Sequence, residues 1–493
     1  MFYCCILKMR HEHKSKKPRK KLSWDIVILI FLLLFFSIFF SILAIDRHNR
    51  FGSLAFDLGI HDQALWQIAN GKSLFNTVRG IHIFADHTFF IDILIAPLYW
   101  FFDDVRALLI FQTIVVASGA IAVYLLSYKY LKKPFPLLVS FLYLAYPAVH
   151  YLLLEDFHPE NIAIPLILFA FYFLQQKKFL PYYVLLFLTM LTKEEVILSL
   201  ALLGVYTYFK IDKKVGIITV VASILFFLFD IYVVLPYFGS GYFRTSLVFG
   251  QFGNTPFEMI KTAFTTPKIF EILFTHQNLI FFRDLFLPVG FLSLLNPATL
   301  VISASLLINF ISSWTYAHSI YYHHVASIIP FVFISLIFGL RRIKSKPLKI
   351  ITILLLLSCS LISLYFISPY DVQLKNIKHI YDKLNNFNKV DEREIAIYSL
   401  MAAIPKNASV SANHVFVPHL THRNEIYLFP NPFKTHYWGN LSEEVPLKYV
   451  DYILVDKYGN GPEISSLINP LVANHTYRLK YELYDVQLYE KYK

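Results

Sequence analysis

The sequence predicts an α-helical polytopic membrane protein of about 11 transmembrane helices, ending in a small C-terminal extracytoplasmic α/β domain. Three observations predict it. The chain of 493 residues is 56% apolar and only 16% charged, with a mean hydropathy of +0.52, so most of its length has no water-facing side. The apolar residues fall in runs close to the ~20 residues that cross a ~30 Å hydrocarbon layer at ~1.5 Å per residue. The lysines and arginines behind the net charge of +12 stand in short clusters between those runs. That spacing orients a membrane protein and excludes a nucleic-acid partner. Cys4, Cys5 and Cys359 imply neither a disulfide framework nor a cysteine metal site.

Residues 1–23 form a basic cytoplasmic N-terminus, with "HKSKKPRKK" just ahead of a first span at about 24–45. That run is too long for the apolar region of a signal peptide and reads as an uncleaved anchor. The transmembrane domain covers 24–368, with further spans at about 106–131, 134–154, 161–176, 179–192, 195–210, 215–236, 280–295, 297–313, 325–340 and 347–368. Lys132/Lys133, Lys177/Lys178, Lys210 with Lys213/Lys214, and Arg341/Arg342 with Lys344 and Lys346 then all face the cytoplasm of a plasma-membrane protein. The stretch 89–102, "FFIDILIAPLYWFF", is too short to cross and reads as an interfacial or re-entrant helix. External loops fall at 46–105, 155–160 and 237–279.

From 369 to 493 charged residues and turn signals take over, and parity places this tail outside. "LKNIKHIYDKLNNFNKVDEREIAIYSLMAAIP" has amphipathic helical periodicity, "ASVSAN", "EIYLF" and "YVDYILVD" read as strands, and "YRLKYELYDVQLYEK" as a terminal hairpin. Asn407, Asn440 and Asn474 begin glycosylation sequons, a tripeptide that also arises by chance in Asn-rich sequence.

Sorted by side, the polar motifs collect on the external face. The first loop carries Asp57, His61, Asp62, Arg79, His82, Asp86 and His87; the second is "EDFHPEN", with Asp156, His158 and Glu160; the third is the turn "TKEE", with Lys193 and Glu194; "YAHSIYYHH" adds His323 and His324. Ionisable groups near the hydrocarbon cost roughly 2.5–3.5 kcal/mol each, so several at one face call for a water-filled site. Asp156, His158 and Glu160 sit in a loop too short to swing away, whereas Asp103, Asp104 and Glu155 read as solvated helix ends. On a helix His323 and His324 point nearly 100° apart, so at most one faces the site. A carboxylate here can act as general base, Lys193 or Arg79 can neutralise a lipid phosphate, and histidine with carboxylate can hold a divalent metal such as zinc or manganese. The metal candidates are Asp57, Asp156 and His158. Gly59 permits a turn, Asp57 faces the cavity, and Asp62 is placed to cap a helix that starts there.

"FDLGIHDQALW", "ADHTFFIDILIAPLY", "DFHPENIAIPL", "LTKEE", "YYHHVASIIPF" and "IPKNASVSANHVFVPHLTHRNEIYLFP" occur in this order. Together they resemble a family of prokaryotic multi-pass membrane proteins classed as a domain of unknown function, itself similar to the GT-C glycosyltransferases. The resemblance implies a GT-C-like fold and transfer of a sugar from a polyprenyl-phosphate donor to a glycan, lipid or protein acceptor at the membrane surface. It makes Asp57 the first candidate base and Asp62 the second. It makes Asp156, His158 and Glu160 a supporting cluster, and gives Lys193 to the donor phosphate with Glu194 beside it. The chain lacks the D-x-D pair of many such first loops. The rival reading is a lipid or solute transporter or flippase, which calls for ionisable residues in mid-membrane broken helices; Asp230 is the main acid inside a span. A third is a scaffold that binds an envelope partner through its external domain.

Overall fold

The computed structural model describes residues 23–239, 249–253, 258, 261–262, 265, 268–369, 391–435, 447–458 and 461–492. The basic N-terminus, part of the loop 237–279 (240–248 and several positions between 254 and 267), the Asn440 sequon and the first part of the long amphipathic segment lie outside these. Ten of the eleven expected apolar segments are mainly helical; the segment expected at 280–295 is helical only to Phe286 and then turns through left-handed Gly290 and Phe291 into short 3-10 pieces, because φ near +58° cannot continue an α-helix. Six helices are long and apolar enough to cross a membrane: α1 (Trp24–Asn49), α3 (Arg106–Tyr130), Phe135–Leu154, Lys213–Phe238, His323–Arg341 and Lys346–Phe366. The stretch between α1 and α3 includes α2 (Ile60–Ala69) and the short helix Ile91–Ile95, which continues as a tighter coil through Trp100. Ile93, Leu94 and Trp100 are exposed on this stretch, which suits an interfacial element.

Two of the long helices are interrupted. Phe135–Leu154 breaks into α4 (Phe135–Leu144) and α5 (Pro147–Leu154), because Pro147 has no N–H to donate; His150 Nε2 lies 2.7 Å from the Leu144 carbonyl and fills the gap. Lys213–Phe238 begins as α9 (Lys213–Phe229) and widens into a π turn at Asp230–Val234. Shorter helices fill the bundle: α6 (Ala163–Gln175), α7 (Phe179–Met190), α8 (Glu194–Lys210), α10 (His276–Phe286) and α11 (Ser303–Ile311), followed by α12 (Ile329–Arg341) and α13 (Lys346–Phe366). The twelve residues of α7 reach only ~18 Å and cannot cross alone.

Helix α3 is the central post and packs against α1, α4, α6 and α12. Its small residues Ala117, Gly119 and Ala120 let neighbours approach closely. A Cβ on Gly119 would sit 2.4 Å from the Tyr143 hydroxyl, which donates to the Val116 carbonyl at 2.7 Å.

The C-terminal domain is α/β, as the strand pattern predicts. After the two-residue strands β1 (Phe75–Asn76) and β2 (Ile81–His82) that pair in the first loop, its sheet runs β4 (Ile426–Leu428), β3 (Val410–Ala412), β5 (Tyr452–Asp456), β7 (Val486–Lys491), β6 (Tyr477–Leu483). The first three strands are parallel, and β6–β7 is the antiparallel terminal hairpin, turning at Tyr484 and Asp485 with φ of 48° and 63°. Helix α14 (Glu392–Ala402) begins at a capping box formed by Asp391 and Glu394.

This domain docks on the first loop at the end of the bundle where α1 stops and α2 begins. The Ala55 N–H donates to the His414 carbonyl at 3.0 Å, and Thr77 bonds both backbone groups of Ile426, covering the edge strand β4. Gly59 has ordinary helical angles; it is glycine because the Val417 side chain lies 3.1 Å from where its Cβ would be. At the same seam Asp62 accepts from the Tyr99 and Thr421 hydroxyls, and His422 bridges Asp62 (3.3 Å) and Asp103 (2.7 Å). Burial pulls the His422 pKa down, but Asp62 and Asp103 outweigh it and hold the group above its usual range. A raised histidine adds stability that is complete below its unfolded value of about 6.5 and is lost as pH rises through the folded value. Docking should therefore weaken from pH 6 to 9, read as falling amide protection factors in α2 and β4 once the intrinsic pH dependence of exchange is divided out. In His422→Gln that pH dependence should flatten, and an unchanged pH profile would contradict the assignment.

Candidate functional site

The loop after α5 is held from below by a buried amide. Gln112, sealed in α3, donates to the carbonyls of Leu152 (3.2 Å) and Asp156 (3.1 Å) and accepts from the His158 N–H (2.9 Å) and the Asn161 side chain (3.1 Å). From above, Arg47 at the end of α1 pairs with Asp156 at 2.6 Å, and the other carboxylate oxygen accepts the Leu54 N–H at 2.9 Å. The first and second loops are thus locked to each other.

Beside that lock the polar stations meet. His158 Nε2 lies 3.9 Å from Asp57 and 3.7 Å from Glu155. The His158 and His323 rings stack at 3.8 Å, and His323 reaches Glu155 at 3.3 Å and Glu160 at 3.6 Å. Glu160 takes the Lys193 ammonium at 2.8 Å. Burial alone would lower the Lys193 pKa; Glu160, Glu195 and Glu194 reverse this and hold it above the usual lysine range. Glu194 accepts from His87 Nδ1 at 2.6 Å and from the Thr88 N–H at 3.2 Å; the Thr88 hydroxyl reaches Asp230 at 2.9 Å. His61 stands 3.8 Å from Asp92 and 5.9 Å, ring to ring, from His158.

Six carboxylates, Asp57, Asp92, Glu155, Asp156, Glu160 and Glu194, share this region with two fixed cations, Arg47 and Lys193. Solvent reaches Asp57 and His87, whose side chains are 31% and 33% exposed; those of His158 and Glu160 are 3% exposed. Burial, reinforced by Asp156 and Glu155, pushes the Asp57 carboxyl up to about 7. Burial, then Asp156 and Glu160, hold Glu155 well above the carboxylate range. Asp57 therefore exchanges a proton near neutrality, the property of a general acid or base.

The structure brings together Asp57, His158, Glu160, Lys193, Glu194, His87 and His323, with Asp156 against the same loop. It corrects several expectations. Asp62 caps nothing: Gly59 precedes α2 without a side-chain cap, and the Asp62 carboxylate is filled by Tyr99, Thr421 and His422 at the domain seam. Lys193 is spent on Glu160. Asp156 is occupied by Arg47 and Leu54, and its carboxylate is not among the described ligand atoms that converge with His158. Arg79 pairs with Asp86 at 2.8 Å, outside the contacts that join the cluster. Glu155 is no solvated helix end but a buried member of the centre, and Asp103 pairs with His422 while remaining exposed. Asp230 joins the same network through Thr88. Pattern reading missed Gln112, Arg47, His61 and Asp92 in these roles. Arg47 carried a signal, a basic residue just past the first span on the side where the positive-inside rule expects few.

The bundle and its docked sheet domain make this a GT-C-like polytopic membrane protein. The chain belongs to the family described as "Predicted membrane protein (DUF2079)", whose profile matches residues 47–487. No curated protein matches its sequence. Among solved structures, ArnT from Cupriavidus metallidurans in the apo state is similar in fold, with a TM-score of 0.50 at 10% identity over 94% of this chain and 98% of that one. The structure of ArnT from Cupriavidus metallidurans bound to undecaprenyl phosphate aligns with a TM-score of 0.49 at 10% identity, over 94% and 97%.

Asp156→Ala removes the ion pair and the Leu54 contact together. It should cost about 2 kcal/mol, below the ~3–5 kcal/mol of a sealed pair because Arg47 is partly solvated. Thermal unfolding in detergent checks this, and a midpoint equal to wild type would contradict the lock.

Proposed function

We propose that this protein transfers a sugar from a polyprenyl-phosphate-linked donor to a glycan, lipid or protein acceptor at the extracytoplasmic face of the plasma membrane. The acceptor hydroxyl attacks the anomeric carbon while Asp57 takes its proton. The bond from that carbon to the phosphate oxygen breaks, and polyprenyl phosphate leaves with the electron pair. One direct displacement inverts the anomeric centre. In this reading the carboxylate- and histidine-rich end of the bundle, with the C-terminal domain above it, faces outward, and the donor enters sideways from the lipid.

The observation that carries the reading is the position of Asp57. Of the six carboxylates named above it is the one that solvent reaches most, it sits on the rim of a locked loop pair, and burial with its acidic neighbours pushes its carboxyl up to about 7. His158 and Glu155 behind it are in place to orient it. The fold likeness to ArnT supports the class, and undecaprenyl phosphate, present in one ArnT structure, is the kind of lipid phosphate that such a donor releases. Lys193, held by Glu160, acts by positioning that loop. Asp230, the main acid inside a span, stands at the π turn that interrupts its helix and is tied through Thr88 to the same cluster.

Asp57→Asn should lower transfer from a radiolabelled polyprenyl-phosphate sugar in membranes by about 10²–10⁴-fold, with expression and thermal unfolding unchanged. Full activity in that variant would overturn the base assignment. Mass spectrometry of glycolipids that accumulate when the protein is removed would identify the sugar and acceptor.

A further inference from the structure

We propose that Glu155, His158 and His323 form a site for a divalent transition-metal ion, two imidazoles and one carboxylate with a position left open towards Asp57. The three residues come from the loop after α5 and the turn before α12, and each offers a ligand atom within 4.8 Å of the others. An ion with ~2.0–2.2 Å bonds in tetrahedral geometry spaces its ligands ~3.4 Å apart. Glu155 already stands 3.3 Å from His323 Nδ1 and 3.7 Å from His158 Nε2, and with all three ligand atoms within 4.8 Å of one another an ion is reached by turning the two stacked imidazoles towards a common point.

The second observation is a set of buried polar atoms without a partner. His158 Nε2 and Glu155 Oε2 are sealed and make no hydrogen bond; so are Glu160 Oε2, His61 Nδ1 and both oxygens of Asp92. Buried polar groups are ordinarily paired, because leaving one unpaired forfeits the water it lost. The orphans are mostly carboxylate oxygens, which call for a cation or a donor. The local balance says the same, with six carboxylates against Arg47 and Lys193.

Competition among the carboxylates selects the ligand set. Asp156 is consumed by Arg47 and the Leu54 N–H, and Glu160 by Lys193. Glu155 is the one that faces both imidazoles. Two imidazoles and a carboxylate suit zinc, and three protein ligands with one open position are the pattern of a reactive rather than a purely structural site. If the transfer reading holds, a cation here would also offset the repulsion between a donor phosphate and the surrounding carboxylates, but the site stands without that reading.

The test uses the full chain purified in detergent, stripped with chelator, then titrated with zinc alone and with cobalt alone. Wild type should retain about one zinc per chain by elemental analysis, and cobalt should give the visible absorption of a low-coordinate nitrogen–oxygen site. Glu155→Gln with His323→Asn should bind zinc at least ~10-fold more weakly while unfolding at the wild-type temperature, and the exposed control His475→Asn should bind as wild type does. No retained zinc in the wild type after loading, or equal affinity in the ligand variant, would overturn the site. Metal content is read without turnover, so this result and loss of transfer in the Asp57 variant can fail independently.

Discussion

Gln112 can lie among apolar side chains two turns into α3 only because each of its polar atoms is matched by the loop after α5. Its amide nitrogen reaches two carbonyls and its oxygen takes two N–H groups, so residues 152–161 cannot move without orphaning a buried amide. With Arg47 clamping Asp156 from the other side, the loop becomes a rigid shelf. Asp57, His323 and Lys193 take their positions relative to that shelf, and so does every distance in the candidate site.

A shelf of this kind gathers charge that a membrane protein ordinarily avoids burying. The carboxylates outnumber the fixed cations, and the molecule distributes the strain unequally. Glu160 and Asp156 are neutralised by close ion pairs, Glu194 is hydrogen-bonded by His87 and the Thr88 N–H, and Glu155 and Asp57 are left with raised proton affinities. Pairing some carboxylates and starving others is how one polar cluster obtains both a scaffold and reactive groups.

The C-terminal domain completes this arrangement from outside the bundle. Val417 over Gly59, the His414 carbonyl on Ala55 and Thr77 on the β4 edge fix the turn that presents Asp57. His419 stacks on His48 at 4.1 Å, carrying the contact down to the last turn of α1. The sheet domain is therefore a part of the site's framework, since the residues just before and after Asp57 are held by it.

Apolar run length, basic clusters and strand alternation, all local properties of the chain, determined the polytopic class, the helical segments, the α/β tail and the face on which the polar motifs gather. Parity then needed only the order of those segments, which is why four stations distant in sequence were legible as neighbours. Which carboxylates are free was decided by the tertiary structure alone. Nothing in "EDFHPEN" distinguishes Glu155 from Asp156; the difference is that Arg47, more than a hundred residues earlier, reaches one and not the other. Nothing in "FDLGIHDQ" says that Asp62 will be filled by Thr421 and His422 from the far end of the chain. Ion pairing depends on distances of a few ångströms between remote segments, and such distances exist only once the helices have packed.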